Sequence, residues 1–448
     1  MKKPDIYFIG ILAISIVVLV PVSFTNQGYF WDEGAYISSA LALSGKENYN
    51  IFTDRYPLIS YVTAFGFVLG ADLVTINIIP ALIAIGSVCM IYLLGSLLFD
   101  RKTGFLAALF TTFSWYFWGV AANILSDTIS LLFFITCIYF FMRFFKTKSK
   151  INAVISGISL GIAFMARSQT MLAIPIIFLF ITFIWILEKR DYKKNLVGLI
   201  ILTFMSLVVI YLETVFTWFD FEHIPAAITL SSSPVDFDII SNITKWIPKT
   251  VYYFSFVPVI LVLYYIILTV KKIDENFLLL LIGLFATTLP FVLFTNWTES
   301  RFLLLAVPFI FIMAAKSIFI IKEKYSWKIF YLVLAIALLS LVIKPSSTGI
   351  ETGWDNLQRI NKPNTEFIEL CNIVKQNSNE NETIGVTSMA HPAINIHCER
   401  KIEYADLKNP ERLKNLSIII DITENRVENI TDYDLIGISG SYEIYKRN

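Results

Sequence analysis

The stretch Phe30-Trp31-Asp32-Glu33-Gly34-Ala35-Tyr36, read together with Phe52-Thr53-Asp54-Arg55-Tyr56-Pro57-Leu58, decides how this chain is organised. Both segments lie in a polar loop, residues 25–57, directly after the first apolar run. The two segments hold three acids, an arginine and several aromatic side chains. Most of the chain from there to residue 343 is apolar, so we expect the chemistry in a polar, acidic pocket at a membrane surface.

The composition indicates a polytopic α-helical membrane protein. Of the 448 residues, 56% are hydrophobic, 15% aromatic and only 16% charged, whereas a soluble domain carries ~25% charged residues. Apolar runs of ~20 residues recur along the chain, which is the length that crosses a bilayer as a helix. The net charge of +1 gives no reason to expect a nucleic acid as partner.

We predict eleven spanning helices, and soft boundaries allow about eleven to thirteen. The run 57–70 is too short to cross and is expected to lie at the membrane surface. The predicted spans are residues 6–24, 73–99, 105–120, 122–145, 151–166, 170–187, 195–217, 250–270, 277–295, 302–321 and 327–343.

The basic residues predict the orientation. Clusters of Lys and Arg fall on alternate loops, and cytoplasmic loops carry such an excess. Placing these clusters inside makes the protein a multi-pass cell-membrane protein with a cytoplasmic N-terminus. The loop 25–57 and the C-terminus then lie outside.

The tail differs in composition from the rest, and we divide the chain into a membrane domain, residues 1–343, and an extracytoplasmic domain, residues 344–448. A helix is predicted at 363–377, and the tail's strand-like segments suggest a small α/β domain. These segments are residues 383–388, 394–404, 416–422 and 434–446. Cys371 and Cys398 can form a disulfide if the tail is outside.

Charged residues next to apolar runs need a reason, because a charge at mid-bilayer costs ~2.5–3.5 kcal/mol on insertion scales. In the predicted topology these residues lie at the outer ends of their helices, level with the acidic loop. We therefore expect them to cluster around Asp32 and Glu33. The residues are Asp127, Arg167, Glu213, Glu299 and Arg301.

This grouping suits transfer from an anionic lipid. A carboxylate can remove a proton from an acceptor hydroxyl as general base. Arginines can hold the oxygens of a departing phosphate and neutralise its charge.

Most of these residues also have a structural explanation. Asp32 with Glu33, and separately Asp127, can stabilise a helix N-terminus. Arg167 and Arg301 can anchor helix ends at the interface, and Asp54 with Arg55 can form a local turn pair before Pro57.

An ordered set of motifs resembles the GT-C superfamily of membrane glycosyltransferases, in its protein-mannosyltransferase-like and aminoarabinose-transferase-like branch. The set begins with the Asp-Glu pair and a following tyrosine in the first outer loop. The matching positions are Asp32, Glu33 and Tyr36; Arg55-Tyr56-Pro57-Leu58 with Tyr61; Gly70; residues 101–108; Asp127; Arg167 after Gly157 and Gly161; and Arg301-Phe302-Leu303 to Pro308. The chain departs from the family at Tyr56, Arg167 and Phe302, where proline, lysine and tyrosine are frequent.

The resemblance implies an inverting glycosyltransferase that uses a polyprenyl- or dolichyl-phosphate sugar on the outer leaflet. The acceptor would be a protein, a glycan or a cell-envelope lipid. Asp32 would be the base, Glu33 its partner, and Asp127 a support for the acceptor or for a basic residue. Substrate contacts are expected from Tyr36, Asp54, Arg55, Arg167, Glu299 and Arg301.

No cofactor is expected. Members of the branch differ in their dependence on divalent metal, and the sequence shows no clear ligand set for one. The alternative hypothesis is a transporter or flippase for a lipid-linked sugar, which predicts contacts near the midplane and broken helices. The position of the charges at one face and the lack of an internal repeat favour the enzyme. A non-catalytic anchoring subunit and an oligosaccharyltransferase are further alternatives.

Overall fold

The protein forms two compact units in a computed structural model. The described residues are 5–26, 31–53, 55–188, 192–216, 239–294, 300–346, 349–352, 365–387, 392–405, 413, 416–422 and 433–447. The first unit comprises residues 1–23, 80–122 and 126–357, and the second comprises residues 24–79, 123–125 and 358–448.

Fifteen helices precede the tail in the described residues, and short 3₁₀ turns adjoin three of them, at Thr75–Asn77, Ser168–Leu172 and Ser300–Ala306. The helices are α1 (Ile6–Ser23), α2 (Trp31–Leu43), α3 (Leu58–Val68), α4 (Ile78–Leu98), α5 (Arg101–Phe113), α6 (Trp115–Ala122), α7 (Ser126–Thr147), α8 (Lys150–Ala166), α9 (Ala173–Glu188), α10 (Tyr192–Phe216), α11 (Ile239–Phe254), α12 (Phe256–Thr269), α13 (Glu275–Phe294), α14 (Val307–Lys324) and α15 (Trp327–Val342).

Seven of these helical segments are long and apolar enough to cross a bilayer, and the number rises to nine if each of two bent pairs is one span. The helices α3, α8 and α15 are apolar but shorter. Each predicted span lies on one of these helices or helix pairs, so the polytopic α-helical fold is confirmed. The helix α3, with 11 residues, is too short to cross, as expected for the run 57–70.

Two predicted spans are wrong in one respect, because each is broken. The span 105–120 bends by 69° between α5 and α6, where Ser114 has an extended backbone. The span 250–270 is divided between α11, which begins earlier than predicted at Ile239, and α12. The two helices meet at 106°. Ser255, between them, has a φ of 66°, which stops a right-handed helix. Hydropathy along the chain does not register a change of direction.

Close packing between helices holds the first unit together. A Cβ added to Gly157 on α8 would lie 2.3 Å from the Leu202 carbonyl oxygen on α10. Only glycine therefore allows the two backbones to approach this closely. On the other side of α8, the Ser156 hydroxyl donates to the Cys137 carbonyl of α7 at 2.8 Å.

The described part of the tail contains helices and strands. The hairpin β1 (Ile343–Ser346) and β2 (Gly349–Thr352) belongs to the first unit. The second unit contains α16 (Thr365–Asn377), β3 (Ile384–Val386), α17 (Pro392–Cys398), β4 (Ile402–Tyr404), β5 (Ile418–Ile422), β6 (Tyr433–Ser439) and β7 (Tyr442–Arg447).

The five strands β3 to β7 form a sheet in the order β4-β3-β5-β7-β6, with β3 parallel to both β4 and β5. The α/β prediction is confirmed, but the strand predicted over 394–404 is wrong in its first half, which is α17. The sequence Pro392-Ala-Ile-Asn-Ile-His-Cys398 buries one apolar side chain after another between sheet and helix, and an apolar run of this length does not distinguish strand from helix.

The disulfide Cys371–Cys398 is present and joins α16 to α17. The compact units do not follow the predicted boundary at residue 344, because the first polar loop groups with the tail. Phe52 of that loop packs against the tail core, which includes Leu370, Ile394 and Ile420.

Candidate active site

The acidic pair lies in the first turn of α2, where the helix dipole stabilises negative charge. Asp32 Oδ1 and Arg55 Nη2 form an ion pair at 3.0 Å, with side chains 23% and 29% exposed. Two residues that the sequence predicts in one cluster are therefore brought together. Their partial exposure leaves the carboxylate open to a substrate hydroxyl.

Glu33 has different surroundings. Its side chain is fully buried, and its Oε1 accepts hydrogen bonds from Asn26 Nδ2 and from the Ile124 backbone N–H, each at 2.6 Å. Asn26 is itself held, because its carbonyl accepts from Asn77 Nδ2 at 3.2 Å. These bonds connect the start of α2 to residues 26 and 124.

Tyr36 lies one turn further along α2 and is 4% exposed. Asp54, predicted beside Arg55, lies outside the described residues. Among the described residues, Asp32 and Arg55 therefore form the ion pair at this end of α2. The neighbouring Glu33 is buried.

A second charged pair lies in the first unit. Asp127, in the first turn of α7, is 2% exposed and forms an ion pair through Oδ1 with Arg167 Nη1. Arg167 directly follows α8, and its Nε donates to Gln169 Oε1 at 2.6 Å. The other oxygen of Asp127, Oδ2, is buried and has no hydrogen-bond partner within the described residues.

An aromatic ring supports this arginine. The Arg167 guanidinium lies 5.7 Å from the centre of the Phe302 ring, a favourable cation–π distance. Phe302 in turn stacks on Phe291 at 5.2 Å and 9°. Arg301 precedes Phe302 in the turn that leads to α14, and Glu299 lies outside the described residues.

Antiparallel packing explains why Asp127 and Arg167 meet. One begins α7 and the other follows the end of α8, so both lie at one end of this helix pair. The opposite ends carry Lys146 and Lys150. Lys146 and Lys150 therefore lie at the end of the helix pair opposite to Asp127 and Arg167, as the sequence predicts.

The sequence does not predict three groups that hydrogen-bond to Glu33 or Arg167. They are the Asn26 side chain, the Gln169 side chain and the Ile124 backbone amide. Gln169 carries a usable signal, because it lies two residues from Arg167. Asn26 and Ile124 carry none, since a loop amide that meets a carboxylate depends on tertiary structure.

No three His, Cys, Asp or Glu side chains come together as metal ligands within the described residues. The expectation that no metal is required stays a prediction.

Comparisons with known proteins give the family context. Residues 54–211 match the sequence profile of the family described as dolichyl-phosphate-mannose-protein mannosyltransferase. No curated protein sequence matches the chain.

Solved structures match over nearly the whole chain. ArnT from Cupriavidus metallidurans in the apo state is 10% identical, with a TM-score of 0.73 over 98% of this chain and 97% of that one. The oligosaccharyltransferase AglB from Archaeoglobus fulgidus, in complex with an inhibitory peptide and a dolichol-phosphate, is 14% identical, with a TM-score of 0.62 over 94% and 70%. Arabinofuranosyltransferase AftD from Mycobacteria is 11% identical, with a TM-score of 0.55 over 98% and 40%.

At these identities the structural likeness establishes the fold. The chain therefore has the fold of the GT-C membrane glycosyltransferases, and its residues 54–211 carry the sequence pattern of the dolichyl-phosphate-mannose-protein mannosyltransferase family.

Proposed function

We propose that this protein is an inverting glycosyltransferase. It moves one monosaccharide, mannose or a related hexose or pentose, from a polyprenyl- or dolichyl-phosphate donor to a protein, glycan or cell-envelope lipid. The acceptor oxygen attacks the anomeric carbon, the bond from that carbon to the phosphate oxygen breaks, and the phosphate leaves with its electron pair. The proton of the acceptor hydroxyl passes to a carboxylate.

The observation that carries the proposal is the Asp32–Arg55 pair at the start of α2. Asp32 is partly exposed, as a general base that meets a hydroxyl must be. Arg55 holds the carboxylate in one orientation, and Glu33 fixes the first turn of the helix from below. This supports Asp32 as the base and gives Glu33 a positioning role.

Arg167 and Arg301 are proposed contacts for the donor phosphate. Asp127 and Gln169 hold two sides of the Arg167 guanidinium, and Phe302 lies against its face. An arginine fixed in this way can bind phosphate oxygens without losing much side-chain freedom. Arg301 is proposed as a second contact, and Asp54, Tyr36 and Glu299 remain predicted substrate contacts.

A lipid-phosphate donor is supported by the neighbours. One structure of ArnT from Cupriavidus metallidurans is bound to undecaprenyl phosphate, and the AglB complex contains a dolichol-phosphate. An isoprenoid chain would lie among the apolar helices, which explains why a hydrophilic transfer takes place on a membrane protein.

The outer face of the membrane is the proposed location. The Cys371–Cys398 disulfide in the tail is of the kind that persists in oxidising compartments outside the cytoplasm. The basic clusters predict the same orientation, with the N-terminus inside and the first loop outside.

A transfer assay with purified protein in lipid tests the function. Radiolabelled polyprenyl- and dolichyl-phosphate sugars are supplied with total envelope extract as acceptor. Asp32→Asn is expected to lower the transfer rate by about 10²–10⁴-fold, the range for loss of a general base. Asp72→Asn serves as the matched control, because Asp72 is an exposed acid of the same unit that caps its own turn through Thr75.

Label that leaves the lipid with Asp72→Asn but not with Asp32→Asn supports the mechanism. Equal transfer by both variants would remove Asp32 as the base. No release from any donor by the intact, folded protein would reject the transferase.

A flippase is the second candidate, and the two broken helix pairs favour it. Bends of 69° and 106° are the kind of interruption that transporters use around a substrate. Liposomes with a fluorescent lipid-phosphate sugar in one leaflet distinguish the two. Movement of intact donor between leaflets without release of sugar would indicate transport.

A further inference from the structure

The helix α17 of the tail lies against the acid-bearing helix α2 at very short range. A Cβ added to Gly34, the residue after Glu33, would lie 3.1 Å from the Ala393 backbone nitrogen and 3.1 Å from Pro392 Cβ. These distances are shorter than most carbon contacts in proteins. The first turn of α2 therefore rests directly on the start of α17.

Asn395, in the middle of α17, is fully buried, and its side-chain amide both accepts and donates hydrogen bonds. Its Oδ1 accepts from the Ser38 hydroxyl on α2 and from the Asn50 backbone N–H at 3.2 Å. Its Nδ2 donates to the Asn48 carbonyl at 3.1 Å and to the Arg400 carbonyl. One side chain thus links α2, the loop after it and the turn after α17.

The loop that delivers Arg55 is held by the same part of the tail. Asn50 Nδ2 donates to the Ile402 carbonyl, and the Ile402 N–H donates to Asn50 Oδ1, each at 3.0 Å. The Phe52 N–H donates to the Ser39 hydroxyl of α2 at 2.9 Å, while its ring packs on the tail core. Arg55 follows three residues later and donates its N–H to the Phe52 carbonyl at 3.4 Å.

The helix α17 is itself anchored at its far end. Cys398, its last residue, is joined to Cys371 of α16. The disulfide, α17 and the Asn395 bonds therefore form a continuous support that ends at both members of the Asp32–Arg55 pair.

We infer that the tail is a clamp that positions the acid pair, with Asn395 as its positioning residue. This inference rests on the proposed function and assigns the tail a part in it. Asn395 touches no reacting atom, and it acts by holding α2 and the residue 46–53 loop in register. Displacing a reacting group by ~1 Å can cost about 100-fold in rate.

The test compares Asn395→Ala with Asn377→Ala in the full chain, reconstituted in lipid nanodiscs. Asn377 is an amide of the same domain whose Nδ2 donates to the Ile373 carbonyl of its own helix at 2.9 Å. Two readouts are taken on each sample: amide hydrogen exchange of residues 31–43, and steady-state transfer kinetics.

Asn395→Ala is expected to speed exchange in α2 by about tenfold. We also expect it to lower kcat by about 10–100-fold, with KM for the lipid donor within about twofold, since a loss of positioning need not weaken binding. Reduction of the disulfide in the unaltered protein should move both readouts in the same direction. Asn377→Ala should move neither.

Ser38→Ala is the second variant, in case Asn395→Ala does not fold. It removes the hydroxyl from α2 and leaves Asn395 and the tail core in place. The double variant Ser38→Ala/Asn395→Ala should lose less than the sum of the two single losses, because both changes break the hydrogen bond between Ser38 and Asn395.

If Ser38→Ala and Asn395→Ala both show the same exchange rate and kcat as Asn377→Ala, the clamp is overturned. Failure of the transferase proposal looks different: the intact protein would release no sugar, while Asn395→Ala would still speed exchange in α2. That result would support the mechanical link and overturn its role in transfer.

Discussion

At the first turn of α2, Asp32 keeps 23% of its side chain exposed, whereas Glu33 is fully buried. The two acids are adjacent in sequence and point to different surroundings. Glu33 accepts two hydrogen bonds, and Asp32 faces an arginine. This difference in surroundings is the basis for the separate roles that we propose, with Asp32 as the base and Glu33 as a positioning residue.

Removing the Glu33 carboxylate should destabilise the second unit. In Glu33→Ala the buried Asn26 amide and the Ile124 N–H lose their acceptor, and an unsatisfied buried group costs ~1–3 kcal/mol. We expect the unfolding temperature to fall in a thermal-shift measurement in detergent. Glu47→Ala, at an exposed acid of the same loop, should have no such effect, and an equal fall in both variants would contradict this role.

His397 should make the tail sensitive to acid. Burial, with the nearby Lys375 ammonium, lowers the pKa of this imidazole below 6.5. As the pH falls below ~6.5, the unfolded chain takes up a proton that the folded chain refuses, so stability declines. Above that pH both states are neutral and the effect vanishes.

Thermal unfolding of the full chain between pH 7.5 and pH 5.5 measures this dependence. His397→Gln should reduce the fall in unfolding temperature between pH 7.5 and pH 5.5. An unchanged slope would show that His397 does not control it.

At the level of single residues, the charged side chains of the candidate site can be predicted from the sequence. Asp32, Arg55, Asp127 and Arg167 stand out there, because charges beside apolar helices are rare and need partners. The amides that hold them do not stand out. Asn26, Gln169 and Asn395 lie in loops, turns or a short helix, where an amide needs no special partner and its contact is set by the tertiary fold.

At the scale of elements, helix contacts depend on residues that hydropathy ignores. Gly157 allows α8 and α10 to touch along their backbones. The apolar periodicity of both helices is visible in the sequence, but their pairing is not. The breaks at Ser114 and Ser255 are also invisible there, because neither position carries a proline or glycine.

Gly157→Ala should therefore destabilise the membrane unit by ~1–3 kcal/mol, the range for overpacking a tight contact. Gly119→Ala is the control, since a Cβ there meets nothing within 4 Å, and alanine favours a helix over glycine by ~1 kcal/mol. Thermal unfolding in detergent should show opposite shifts for the two variants. A loss of stability in both would indicate a general effect of Gly→Ala changes.

The short helix α3 should lie in the membrane interface. It exposes Phe65 by 65% and Val68 by 65%, while Phe67 on its other face is 8% exposed. An apolar face of this kind favours the boundary of headgroups and acyl chains. A spin label at Phe65→Cys should be more accessible to oxygen than to a water-soluble nickel chelate, and a label at Glu47→Cys should show the reverse.

At the scale of the whole molecule, the first polar loop and the tail are one compact unit although about 300 residues of chain separate them. The composition shift near residue 344 coincides with the end of α15 at Val342. It does not show that the loop joins the tail, because that joining is made by the side chains of Asn50, Phe52 and Asn395.

The orientation of the molecule is tested by labelling. Asn381→Cys places a thiol at an exposed position of the tail, and Lys150→Cys places one at the exposed first residue of α8, next to the basic loop that follows α7. A membrane-impermeant maleimide added to intact cells should label the first and not the second. The opposite pattern would place the tail in the cytoplasm.

The contact between Gly34 and α17 also bears on biosynthesis. The ribosome makes residues 392–402 more than 300 residues after residue 34, so α2 lacks its support while the intervening chain is being synthesised. The acid pair can reach its final geometry only when α17 has been made and Cys371 has met Cys398. The order of synthesis would then delay the assembly of the acid pair until after α17 has folded.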